Sequence, residues 1–269
     1  MKKSIQDHPD QPIYEQIGVG YTQSRQADPR WEARIHSTFK DSSTLVNVGA
    51  GSGSYEPGHM KVVAVEPSQV MIRQRPTDSA PVVCAIAEQL PFPDGSFDVA
   101  LAVLTTHHWH DPHVGLLEMH RVARSQVIVT WDPAVFAKQF WLVRDYLPEI
   151  GQRELALPTL YKVLHVLGTA NVSVLPVPAD CIDGFLGAYW KRPEAYLSHS
   201  IRNSMSGIAL TSPGVVEKGM KRLRADLDSG AWKTRNSELL EKDELDLGYR
   251  LVVYAGALSR ASFKVRVHK

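Results

Sequence analysis

Five short runs rich in β-branched residues follow one another in the first half of the chain: TLVNVG (44–49), KVVAVE (61–66), PVVCAIA (81–87), FDVALAVL (97–104) and QVIVTW (126–131). Each has the length of a strand and is apolar along nearly its whole length. Strands of that kind need cover on both faces, as in a parallel sheet wrapped by helices. The segments between them supply it. In VGLLEMHRVA (114–123) apolar residues recur at helical spacing with charges between. Alternating strand and helix with right-handed crossovers is an α/β fold.

After Trp131 the character changes. Residues 134–168 read as helical, closing on Gly168 as a cap, and NVSVLPV (171–177) reads as a further strand. A long, mainly helical stretch over roughly 180–244 follows. Within it Val216, Met220, Leu223 and Leu227 share one face, and Lys218, Lys221, Arg222 and Arg224 occupy the others. YRLVVYAG (249–256) is the last expected strand. With 269 residues, 43% of them apolar, the chain has ample length for one large core, so residues 1–269 are expected to form a single domain.

A formal net charge of +1 calls for no polyanionic partner and gives nucleic-acid binding no support. Cys84 and Cys181 form no CxxC pair, the N-terminal MKKSIQDHPDQP lacks the apolar run of a secretory signal, and no window reaches the length of a membrane span. The expected location is the reducing cytoplasm.

VNVGAGSGSYEP (46–57) is a strand running into a glycine-rich turn. Gly49, Gly51 and Gly53 let the backbone approach a ligand without obstruction. Glu66 ends the next strand, where a carboxylate can accept from both hydroxyls of a ribose. Together they read as an adenosine-type site. The dinucleotide pattern GxGxxG is not met, because Ser54 stands at its third glycine.

Three segments, LVNVGAGSGS, VVAVEPSQVMI and above all AEQLPFPDGSFDVALAVLTTHHWHDP, resemble the class I S-adenosylmethionine-dependent methyltransferases, in particular the broad group that includes the ubiquinone and menaquinone C-methyltransferases. LLEMHRVARSQVIVTWDP continues the likeness, which covers residues 44–133. It implies a Rossmann-like, doubly wound, mostly parallel seven-stranded sheet, with a helical lid (134–157 and 180–244) inserted around the sixth strand. S-adenosyl-L-methionine is the implied cofactor and a small molecule the methyl acceptor.

Carried over residue by residue, the resemblance places the methionine moiety and sugar on Gly49, Ala50, Gly51 and Gly53. Glu66 would hold the ribose, Pro67 and Met71 would flank the adenine, and Ala87 and Glu88 would lie along its edge. Ala102, Val103 and Leu104 would face the methionine end, and Tyr21 and Arg25 would close over the cofactor, Arg25 pairing with its carboxylate. Three departures stand out. Asn47 and Ile86 replace residues that are often acidic in the family, and Pro57–Gly58 cuts the helix after the glycine loop to a turn or two.

TTHHWHDPHVG (105–115) carries four histidines. Asp111 reads as a helix cap with Pro112 at the first helical position and His113 on a surface turn. No ligand set with zinc spacing accompanies them, so no metal is expected. His107 and His108 sit where methyl and acceptor should meet, and serve as general base, acceptor-orienting group or loop structure. Methyl transfer needs alignment and exclusion of water, which suits a lid. Phe140, Trp141, Tyr146, Phe185, Tyr189 and Trp190 either line an acceptor pocket there or pack the insertion on the core. An aromatic or apolar acceptor methylated at O, C or N is expected. The alternatives are a non-catalytic regulator that binds the adenosyl cofactor, or an NAD(P)-dependent oxidoreductase on a related fold.

Overall fold

The structure, a computed structural model, describes residues 14–17, 22, 25–39, 41–157 and 159–255. Strands β1 (Thr44–Val48), β2 (Lys61–Val65), β3 (Val82–Val83), β4 (Phe97–Val103) and β5 (Ala123–Trp131) pair in parallel. Strands β6 (Asn171–Val174) and β7 (Tyr249–Ala255) complete a seven-stranded sheet in the order β3-β2-β1-β4-β5-β7-β6. β7 runs antiparallel to both β5 and β6.

Alternate residues of each strand serve opposite faces. Leu45, Val99, Leu101, Val127, Val129 and Leu251 belong to one core, and Val46, Val48, Ala100, Ala102, Ile128 and Val252 to the other. Helices α1 (Tyr14–Ile17) and α2 (Pro29–His36) lie in the N-terminal segment, and α2 sends Trp31 and Ile35 into the first core. The short α3 (Gln69–Ile72) follows β2 and is capped by Ser68. Helix α4 (Pro112–Val122) covers the second face with Leu116, Met119 and Val122. As expected, Asp111 caps it by accepting from the His113 and Val114 N–H groups, with Pro112 at the first position.

The first face is covered by the residues that follow β5. Helix α5 (Pro133–Gln139), a π-helical turn (Leu142–Tyr146) and α6 (Pro148–Leu155) precede α7 (Thr159–Leu167), which instead packs Val163 and Leu167 into the second core. Gly168 ends α7 with φ +66, as its place after the helical run predicts. The stretch after β6 is less helical than its composition implies. Residues 180–192 form turns, stitched by the Arg192 guanidinium donating to the Cys181 and Ala188 carbonyls. Helix α8 (Pro213–Asp228) then buries Met220 and Leu223 and half-buries Val216 and Leu227, while Lys218, Lys221, Arg222 and Arg224 stay exposed.

Between β1 and β2 the shortened helix is lost altogether. Residues 50–60 run through turns, since the glycine loop leads almost directly to Pro57–Gly58. β3 is also shorter than its apolar run, because the chain after Val83 leaves the sheet edge for the ends of the strands.

The inserted segments form part of the main core. Trp141 is fully buried, donates its indole N–H to the Trp190 carbonyl at 2.8 Å, and packs edge-to-face on Tyr146, Tyr196 and Trp232. Trp141→Ala is expected to cost about 3–5 kcal/mol in urea unfolding, with one transition retained. A separate early transition of the insertion would show instead that it folds apart from the sheet.

Candidate functional site

β1 and β4 are neighbours in the sheet but not in the chain, and a crevice opens beyond their carboxyl ends. β1 runs into Gly49, whose φ is +70 and whose N–H, like that of Ala50, donates to the Val65 carbonyl. A Cβ on Gly49 would stand 2.1 Å from Thr105 Oγ1, so only glycine fits at this approach. Glu66 closes the crevice on the β2 side. Its Oε2 accepts from the Gly51 N–H at 2.8 Å and its Oε1 from the Ser68 N–H at 2.9 Å. Burial at 5% exposure pushes the Glu66 carboxyl above its ordinary value, and those two bonds oppose the shift. Each oxygen keeps a second acceptor site for an incoming hydroxyl.

The crevice holds a cavity of about 530 Å³. Arg25, Gly49, Ala50, Gly51, Glu66, Pro67, Met71, Ala87, Glu88, Val103, Leu104 and His108 all line it. Three other expected site residues do not. Gly53 turns the loop with φ +97 beside Arg75, and Ala102 alternates into the opposite core, because neighbouring strand residues point to opposite faces. His107 faces a different cavity. Tyr21 lies outside the described residues.

The lining also includes Tyr14, Ser52, Ser54, Tyr55, Thr105, Trp109 and His110, which sequence reasoning missed. Tyr14 had a signal, since it stands in the same N-terminal stretch as Tyr21 and Arg25. Glu15 beside it accepts from Ser68 Oγ at 2.9 Å and the Val70 N–H at 3.2 Å, tying α1 to α3.

Both family departures line the cavity. The Asn47 amide donates to Glu56 Oε1 at 3.0 Å, and Glu56 is itself paired with the buried Arg75 at 2.8 Å. The acidic charge missing from β1 is thus held one step away, on Glu56. Ile86 is half exposed and gives the cavity an apolar edge in place of an acceptor.

A second chamber of about 200 Å³ adjoins the first, sharing Tyr14, Arg25, Leu104 and His108 with it. Of the six aromatics expected from the insertion, Phe185 alone lines this chamber. Phe140, Trp141, Tyr146 and Trp190 are buried in the core, and Tyr189 packs on Tyr196. Trp131, Phe136, Tyr249 and the shared Tyr14 complete its aromatic lining.

His107 and His108 sit between the two cavities on a short 3-10 turn (Thr106–His108), with ring centroids 3.6 Å apart. His108 Nε2 lies 3.2 Å from the Tyr14 hydroxyl. Burial, with the Arg25 charge nearby, lowers the His108 pKa to about 4, and burial and the neighbouring His108 hold His107 well below the ordinary imidazole value. Both rings are therefore neutral near pH 7. Arg25 is paired through Nε with Asp183 at 2.6 Å, and the Tyr55 hydroxyl donates to the other Asp183 oxygen at 2.7 Å. Among the described residues no three His, Cys, Asp or Glu side chains converge to hold a metal ion, and no helix is long and apolar enough to cross a membrane.

Comparison with known proteins agrees with this geometry. Residues 46–130 match the family described as Methyltransferase domain. The chain is 30% identical to a protein of Anabaena variabilis ATCC 29413 described as a candidate methyltransferase from an antibiotic biosynthesis pathway. That match covers 86% of this chain and 99% of the other, with a TM-score of 0.80. A stretch of 60 residues is 35% identical to the protein YafE of Escherichia coli strain K12, spanning 21% of this chain and 29% of that protein's length. The plantazolicin methyltransferase BpumL, solved with SAH, shares the fold at 13% identity, covering 94% of each chain with a TM-score of 0.51.

The depressed imidazoles set a pH dependence. Unfolded, His108 takes up a proton near pH 6.5; folded, it does so only near 4. Between these values the unfolded state binds more protons, so stability falls as pH falls from 6.5 toward 4. Urea unfolding at pH 7 and pH 5 is expected to differ by about 1–2 kcal/mol from this group alone. His108→Gln should lose that share of the difference, and an unchanged pH dependence in the variant would show that His108 is not held neutral.

Proposed function

The chain belongs to the class I S-adenosylmethionine-dependent methyltransferases, and on that premise we propose that it methylates a small, largely apolar molecule seated in the second chamber. S-adenosylmethionine supplies a methyl group on a sulfonium, already activated for displacement. The protein's own task is to hold two molecules in contact, in line and away from water. The observation that carries this reading is that a cavity edged by the glycine loop and Glu66 opens onto a mainly apolar one at Leu104 and His108.

The residues present fit the cofactor. Glu66 has buried oxygens with acceptor capacity left for a ribose, and Pro67, Met71, Ile86 and Ala87 offer an apolar berth for the adenine. Gly49, Ala50 and Gly51 bring backbone against the sugar and methionine portion, beside Val103 and Leu104. Arg25 is at hand for the carboxylate, with part of its charge already balanced by Asp183. Tyr14, through its contact with His108 and its place in the lining, is a further candidate to cover the cofactor.

His108 orients the meeting point of the two molecules, and His107 faces the acceptor. A net charge of only +1 and a mainly apolar chamber of this size favour a small molecule over nucleic acid. The free state of both cysteines suits the reducing cytoplasm.

Calorimetry with S-adenosylmethionine, S-adenosylhomocysteine and NAD(P), followed by a labelled-methyl transfer screen, tests the reading. Glu66→Gln keeps the side chain's size but turns one acceptor oxygen into a donor facing a backbone N–H. It is expected to weaken both adenosyl compounds by about 10- to 100-fold. Tight binding of a dinucleotide with no response to either adenosyl compound would replace the proposal with an oxidoreductase.

A further inference from the structure

The polar groups of the second chamber define its occupant more narrowly than its volume does. Four rings, Trp131, Phe136, Phe185 and Tyr249, line it, and Tyr14 lines it as well. Tyr249 meets Phe185 at 4.9 Å and 68°, and Phe136 at 6.1 Å and 77°. Edge-to-face sets of this kind offer further edges and faces to an inserted aromatic ring.

The charges lining the chamber are unfavourable to a cation. Arg25 and Arg153 both line it, and Glu154 is the one carboxyl that does. Glu154 accepts from Arg153 at 3.4 Å, and burial pushes its carboxyl above the ordinary value. An ammonium group placed here would meet two guanidinium groups and no carboxylate free to pair with it.

His107 supplies the specific contact. Its Nδ1 is enclosed and unpartnered among the described residues, whereas Nε2 is not among the enclosed atoms and the half-buried residue lines the chamber. Nε2 is therefore the nitrogen available to an occupant, and the centroids of the His107 and Trp131 rings are 4.6 Å apart. A hydroxyl both donates and accepts, so it pairs with a neutral imidazole nitrogen in either tautomer.

We infer that the chamber binds an aromatic hydroxyl compound, a phenol or hydroxylated fused-ring heterocycle, with its ring among the four aromatic side chains and its O–H on His107 Nε2. This rests on the reading of the second chamber as the acceptor site, and it makes His107 the residue that selects a hydroxyl over an amine.

The test is equilibrium binding to the full chain, with and without saturating S-adenosylhomocysteine. The probes are hydroxyquinoline, aminoquinoline and quinoline, substituted at the same carbon of the carbocyclic ring. The hydroxyl compound is expected to bind about ten-fold more tightly than the other two. His107→Phe should bring the three affinities together while leaving S-adenosylhomocysteine within about two-fold, because His107 does not line the first cavity. His107→Gln, whose amide can pair with a hydroxyl, should restore part of the preference. Equal affinities in the wild type, a preference for the amine, or a hydroxyl preference that survives His107→Phe would overturn the inference. Hydroxyl preference without binding of S-adenosylhomocysteine would sink the methyl-transfer reading and leave the chamber assignment standing.

Discussion

The approach of Gly49 to Thr105 leaves no room for a side chain between the ends of β1 and β4, and the larger cavity lies against that contact. It exists because the crossovers diverge there: β1 connects outward to β2 and β3, and β4 connects the other way to β5. Thr105 is delivered to this position by Leu104, a residue in the left-handed region at φ +50. Such a backbone costs about 1–3 kcal/mol and persists only where its surroundings over-determine it. Leu104 is also one of the four side chains shared by the two cavities, so the strained turn forms a wall common to both.

Charge is organised around the same point. Asp183 is 1% exposed and belongs to the inserted segment, yet its two oxygens are taken by Arg25 from the N-terminal segment and Tyr55 from the glycine loop. Tyr55 holds a left-handed backbone at φ +65. One buried carboxylate thus joins three separate stretches of chain at the edge of the larger cavity. On the other side, Asn47, Glu56 and Arg75 form a second closed relay. Pairing of this kind offsets part of the cost of taking these charges out of water. Burial, together with the Arg25 charge that still reaches them, keeps the rings of His107 and His108 neutral.

Much of the sheet was legible in the chain because periodicity and buried strands are local signals. The runs at 44–49, 61–66, 97–104, 126–131 and 249–256 became strands within a few residues of those limits. The shortened β3 and the missing helix between β1 and β2 were harder, since both depend on where the chain must go next. The place of Glu66 at the cavity was legible because a strand end has a defined direction. Ala102 was misplaced because its neighbours face the cavity, and one step along a strand reverses the face.

The amino-acid sequence by itself determined the α/β class, the glycine turn with its acidic partner, the Asp111 cap and the pair of histidines at the end of β4. Those features act over a few residues, where spacing and side-chain chemistry suffice. Only the tertiary structure decided that His108 lines both cavities while His107 lines the second alone, that Phe185 rather than Trp141 meets the chamber, and that Asp183 reaches Arg25 from 158 residues away. Such contacts depend on how the insertion packs across the first face of the sheet. Packing of that kind is selected by the shape and burial of many side chains together, which no single stretch of sequence records.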